Sequence, residues 1–346
     1  MRLAWLLIGL LFCGGCDAPP PAPVETTNAS PLSIEGLRAR SYTAAFQAEG
    51  DLATADSCTR QLYSYRSDSL RIFALVQRPL RPAPAAGYPV VLFGHGYHPD
   101  PPRYGISNAT GINARPGDYY RGVPAAYAAQ GYLTVTPDYR GHNRSEGFEY
   151  TQTRLLATTY YAIDVLHALA ALESLADVNL EAVYYVGHSM GGDVGLKTLL
   201  ATDRFKAASL WSAVTASVEK QVVRYGQRDP AHPDRTVPRD LYQRWQSVDS
   251  VVSTLGFAHD LSEGDPTRYL DLLGTPLALH HATRETVVPY AWAESLAADL
   301  YARKKQFVLY AYDSDRHLFQ GENFQKAVAR DVALFQQYAN SSKNLK

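Results

Sequence analysis

The residue with the clearest chemical setting is Ser189, in Gly187-His188-Ser189-Met190-Gly191. A serine hydroxyl is a weak nucleophile until a base takes its proton, and it then attacks carbonyl carbon to give an acyl intermediate. Gly-x-Ser-x-Gly is a short pattern, so its surroundings decide. Before it, Val183-Tyr184-Tyr185-Val186 is β-branched and aromatic; after it, apolar residues return at helical spacing through residues 192–201. Strand, tight turn, helix is the context that a nucleophile elbow needs. The turn strains the serine, and flanking glycines let neighbouring backbone approach. The helix beyond presents unpaired N–H groups and a partial positive charge where an oxyanion would form, which nominates the Met190 amide.

The other candidates also follow strand-like runs. Val90-Val91-Leu92-Phe93 ends at Gly94-His95-Gly96-Tyr97, and the Tyr97 N–H is the expected second oxyanion donor. Residues 276–280 precede Glu285, and residues 308–312 precede His317, with Asp313 and Asp315 as reserve carboxylates. Further strands are expected at 61–65, 70–76, 132–136 and 207–211, and helices at 124–130, 158–175, 192–201 and 324–338. Some helical periodicity marks a lead-in over 32–48. Asp164 and His167 fall on the second of these helices and are expected at the surface or behind the site. Alternating strands and helices predict an α/β fold with a mostly parallel sheet covered on both faces. Its catalytic groups belong at the carboxyl ends of strands.

Composition excludes other classes. With 33 Lys+Arg against 34 Asp+Glu and no basic stripe, nothing points to a nucleic-acid partner. No Cys/His cluster has metal-ligand spacing, and Cys58 is expected to be a small packed side chain. Arg2 and the apolar run 3–12 form a segment too short to span a bilayer, which predicts a secretory signal over 1–16. Gly14-Gly15-Cys16 resembles the bacterial lipoprotein processing box, which implies lipidation at Cys16 and a membrane-anchored envelope protein, with secretion after ordinary signal cleavage as the alternative. Residues 17–31 are Pro-rich and suit a tether, leaving 32–346 for the folded domain.

Ser189, Glu285 and His317 in that order make the chain similar to the α/β-hydrolases, and within them to the prolyl-oligopeptidase-like serine hydrolases. The resemblance also rests on 93–97, on Pro137-Asp138-Tyr139-Arg140-Gly141-His142, on 281–289 and on the loop ending at His317. It implies that His317, oriented by Glu285, deprotonates Ser189, with Tyr97 and Met190 amides holding the oxyanion and no cofactor or metal. Two departures stand out. Relatives have glycine and aspartate where this chain has Ala282 and Glu285, and the segment before Val90 is too short for the family's β-propeller.

The missing propeller favours a small ester over a short peptide. An exopeptidase would need a carboxylate for the substrate ammonium, with Glu146 and Glu149 as candidates, and a non-catalytic binding lipoprotein is the third possibility. Residues 213–273 are expected to form a helical cap, where Tyr225, Tyr242, Trp245 and Phe257 would line a pocket.

Overall fold

Apolar β-branched and aromatic runs in this chain become strands because pairing satisfies their backbone while both faces are covered. The computed structural model describes residues 29–55, 57–98, 101–103, 120, 122–151, 157–225 and 261–339. Nine strands are present among them: β1 (Gln47–Ala55), β2 (Cys58–Ser67), β3 (Leu70–Pro79), β4 (Tyr88–Gly94), β5 (Leu133–Asp138), β6 (Val178–His188), β7 (Ala207–Trp211), β8 (Leu277–Ala282) and β9 (Phe307–Tyr312). They form one sheet in the order β1-β2-β3-β5-β4-β6-β7-β8-β9. The first three strands pair antiparallel, β3 pairs antiparallel with β5, and the remainder run parallel.

The helices are α1 (Ile34–Ala39), α2 (Gly122–Ala129), α3 (Ala157–Ala171), α4 (Met190–Ala201), α5 (Val218–Tyr225), α6 (Tyr290–Ala302) and α7 (Gly321–Ala339). Side chains alternate along the central strands, as a two-residue period requires. Val90 and Leu92 of β4, Val183 and Tyr185 of β6, and Leu277 and Leu279 of β8 join residues of α3, α4 and α6 in one core. Val91, Phe93, Tyr184 and Val186 join residues of α2 and α7 in the other. The result is a three-layer α/β-hydrolase fold.

Two sequence expectations change. The helical lead-in stops at α1, which Ser33 caps by accepting from the Gly36 N–H at 2.9 Å, and residues 47–55 form β1 instead. That strand has little β-branched character; its pairing with β2, including two register shifts, overrides local preference. Of the two places expected for Asp164, the structure excludes the surface. The residue is fully buried on α3 and paired with the equally buried Arg140, 2.7 Å from Nη2. Burying the two charges requires this pairing, and further hydrogen bonds from Ser67 Oγ and the Arg140 amide fill the carboxylate. Segment 137–142, charged in sequence, is thus largely interior. Cys58 is buried and free, as expected of a packing residue.

Candidate active site

Strand β6 delivers Ser189 to the carboxyl edge of the sheet, and α4 starts at the next residue. Ser189 has φ 57° and ψ −120°, a left-handed conformation that a side chain adopts only under constraint. Main-chain bonds supply it. The Ser189 N–H donates to the Trp211 carbonyl at 3.0 Å, and the Ser189 carbonyl accepts from Gly192 and Val214 amides at 2.9 and 3.0 Å. Glycine is needed where backbones meet: a Cβ on Gly191 would lie 2.1 Å from the Gly94 carbonyl oxygen. One on Gly96 would lie 2.3 Å from the Tyr120 hydroxyl and 3.2 Å from Ser189 Cβ. The loop after β4 therefore packs directly on the elbow. It carries Tyr97, whose side chain is 62% exposed, one residue beyond that contact. Met190, as the first residue of α4, has an amide with no acceptor in its own helix.

Adjacent strands β8 and β9 bring Glu285 and His317 together. His317 Nδ1 donates to Glu285 Oε2. Glu285 Oε1 lies 2.8 Å from His281 Nε2, which also lies 3.0 Å from the Val288 carbonyl. The glutamate arm is thus held between two imidazoles, and the His281 contact went unforeseen although His281 stood within the sequence segment singled out. Its role was illegible because a strand-end histidine is usually only core. The reserve carboxylates face solvent: Asp313 is 83% exposed and pairs with Arg284, and Asp315 is 77% exposed beside Arg316. His317 is 23% exposed, and its ring centroid lies 4.6 Å from that of His188, the neighbour of Ser189. No hydrogen bond joins Ser189 Oγ to His317 among the described residues; such contacts commonly tighten when substrate binds.

The electrostatics favour an ionised acid and neutral surroundings. Burial pushes the Glu285 carboxyl up, and the adjacent imidazoles of His281 and His317 outweigh it, leaving the group below its ordinary 4.5. Burial likewise pushes His142 down to about 4 and holds His95 and His188 well below 6.5. Depressed histidines contribute stability in full above 6.5, and that contribution is lost as pH falls through their folded values; the Glu285 contribution follows below 4.5. Urea midpoints are therefore expected to decline as pH drops from 7 toward 4, and a flat profile would contradict the neutral buried imidazoles.

Behind the elbow lies a buried ion pair that sequence reading missed. Lys197 Nζ on α4 donates to Asp193 Oδ2 at 2.6 Å and to Thr158 Oγ1 of α3 at 2.7 Å. Gln221 on α5 reaches Asp193 Oδ1 at 3.3 Å, tying the start of the expected cap to the elbow helix. The i,i+4 spacing of Asp193 and Lys197 was visible, but that spacing ordinarily marks a solvated helix face.

Helix α5 also crosses the Glu285 segment. Arg224 donates to the Thr286 carbonyl, and the Tyr225 hydroxyl donates to the Val287 carbonyl at 3.2 Å with its ring edge-on to Trp292. Tyr225 thus fastens α5 in place; Tyr242, Trp245 and Phe257 lie outside the described residues. Glu146 is engaged elsewhere, accepting from the Arg71 amide at 2.7 Å with Arg66 3.7 Å away, and Glu149 is exposed. Among the described residues no group of three His, Cys, Asp or Glu is placed to hold a metal, and no helix is long and apolar enough to cross a membrane. Cys16, the signal segment and most of the tether lie outside those residues.

The prolyl oligopeptidase family matches residues 119–342, well over half the chain. The chain belongs to that family. Solved structures agree at the level of the fold. A puromycin-hydrolyzing peptidase of Mycobacterium tuberculosis superposes with a TM-score of 0.60 at 17% identity, over 82% of this chain and 40% of its own. An acylaminoacyl peptidase of Pyrococcus horikoshii gives 0.58 at 16% identity, over 84% and 44%. The acetyl xylan esterase of Paenibacillus sp. R4 gives 0.61 at 15% identity, over 88% of this chain and 92% of the esterase. This prolyl oligopeptidase family member spans 40% and 44% of the two peptidases but nearly all of the esterase. No curated protein matches it in sequence.

Proposed function

We propose that the chain is a serine hydrolase of the prolyl oligopeptidase family that cleaves a small carboxylic ester, with Ser189, Glu285 and His317 as its triad. The observation that carries this reading is the hydrogen bond from His317 Nδ1 to the buried Glu285 at the carboxyl edge where the strained Ser189 also sits. That bond leaves His317 Nε2 as the base. It takes the Ser189 proton as Oγ bonds to the carbonyl carbon, then gives the proton to the departing alcohol as the ester C–O bond breaks. Water, deprotonated by the same nitrogen, attacks the acyl-enzyme and releases the acid. Amides of Tyr97 and Met190 hold the tetrahedral oxyanion, and no cofactor takes part.

An ester is preferred to a peptide because Glu146, one of the two carboxylates named as candidates to hold a substrate ammonium, is bound to the β3 main chain. The near full-length match to the esterase points the same way. A panel of p-nitrophenyl acetate, longer p-nitrophenyl esters, dipeptidyl amides and acyl-aminoacyl amides tests the choice. Faster turnover of the short esters supports it, and faster turnover of the amides makes the protein an exopeptidase. Export and anchoring through Cys16 belong to the same proposal, on the strength of the apolar run and the Gly14-Gly15-Cys16 box. Cys16→Ala then moves the protein from the membrane fraction to the soluble one, and a variant that stays membrane-bound contradicts the anchor.

A further inference from the structure

His188 lies between Ser189 and the loop that carries His317, and both of its ring nitrogens are engaged. Nε2 is 2.9 Å from the carbonyl oxygen of His317, and Nδ1 is 2.8 Å from the hydroxyl of Tyr120. A carbonyl only accepts, so Nε2 carries the proton. Burial, followed by the neighbouring His317 and His281, holds His188 well below the ordinary histidine value, so the ring is neutral and Nδ1 accepts from Tyr120. The bonds run in one direction: Tyr120 O–H to His188 Nδ1, His188 Nε2–H to the His317 carbonyl. The same Tyr120 hydroxyl touches the loop after β4 at Gly96, beside Ser189 Cβ.

The loop between β9 and α7 has no regular structure to fix His317. Beyond it, Phe319 enters the core, and before it the Ser314 carbonyl accepts from the Arg284 amide. Neither contact sets the peptide of His317 itself. The bond from His188 does, and it originates one residue from the nucleophile.

We infer that His188, held by Tyr120, is a positioning residue that sets the distance between Ser189 and His317 by gripping the main chain of the histidine. This rests on the proposed roles of Ser189 and His317. An indifferent core histidine would fill the same volume without needing a donor at Nε2, and substitution separates the two. Phenylalanine keeps the ring volume and removes both polar contacts, whereas the glutamine amide can donate to the carbonyl and accept from Tyr120. Displacing a catalytic group by about 1 Å can cost on the order of a hundredfold. His188→Phe is therefore expected to lower kcat for p-nitrophenyl acetate by on the order of a hundredfold with KM little changed, and His188→Gln to recover most of it. Tyr120→Phe, which removes one hydroxyl, should lower kcat less and again leave KM alone; it carries the test if His188→Phe does not fold.

Wild-type kcat in either phenylalanine variant overturns the inference. So does an equal loss in His188→Phe and His188→Gln, since a structural role predicts no rescue. Wild-type enzyme that neither hydrolyses esters nor reacts with a fluorophosphonate at Ser189 removes the hydrolase reading, and this inference with it. A reactive wild type with unaffected variants removes the inference alone.

Discussion

Ser189→Ala is expected to lower ester turnover by about a millionfold while leaving the fold intact. In a serine hydrolase the nucleophile, base and acid act as a unit, so deleting the hydroxyl forfeits nearly the whole contribution of the triad, and the residue of catalysis comes from the oxyanion donors and substrate binding. The elbow itself does not depend on the hydroxyl. Its conformation is held by main-chain bonds to Trp211, Gly192 and Val214 and by the glycine contact at Gly94. The thermal midpoint of Ser189→Ala should thus stay within about 2 °C of wild type, because no buried apolar group or core hydrogen bond is removed. Steady-state turnover of p-nitrophenyl acetate, with calorimetry on the same preparation, checks both halves. Activity within tenfold of wild type would mean that another group attacks the substrate.

The second large effect concerns the acid. Glu285→Ala is expected to reduce kcat on the order of ten-thousandfold, as losing the carboxylate of a triad does elsewhere. Without it His317 loses the acceptor at Nδ1 that fixes its tautomer, and His281 loses one side of its shared contact. Asp313→Ala and Asp315→Ala should leave kcat within about twofold, because both side chains are solvent-facing and exposed residues contribute little to a buried hydrogen-bond network. Glu285→Asp sharpens the comparison. The shorter arm cannot reach both imidazoles from the same backbone, so a partial loss is expected, smaller than that of the alanine variant. A severe loss in Asp315→Ala together with a mild one in Glu285→Ala would transfer the acid role.

Much of the fold was legible because the informative signals were local. Apolar runs at 90–93, 183–186, 207–211, 276–280 and 308–312 became β4, β6, β7, β8 and β9, and the elbow stands between strand and helix as its glycines implied. What was hidden depends on partners distant in sequence. Strand β1 exists through pairing with β2, which no residue within it announces. Asp164 was expected at the surface or behind the site and Lys197 drew no expectation, yet each is buried because a partner meets it: Arg140 from the loop after β5, and Thr158 with Asp193. Periodicity reports which residues can share a face, and it is silent on what will cover that face.

The site divides in the same way. Ser189, Glu285 and His317 were nominated because each follows a strand, where α/β sheets expose side chains, and the structure puts Glu285 against His317. Their supports were not found. His281 and His188 sit inside quoted motifs, but a histidine in a motif has no sequence feature that separates a ligand, a base and a brace. Tyr120 gave even less, being one of 24 tyrosines in the sequence. Only the meeting of its hydroxyl with His188 and Gly96 gives it a role.

The most direct measurement follows the reactivity of Ser189 itself. Purified protein is treated with a fluorophosphonate, digested and mapped by mass spectrometry, alongside His317→Ala treated identically. The triad predicts a single phosphonylated peptide containing Ser189 in the wild type, and labelling slowed by several orders of magnitude in His317→Ala. Modification at a different serine, or labelling of Ser189 at the same rate without the imidazole, would contradict it.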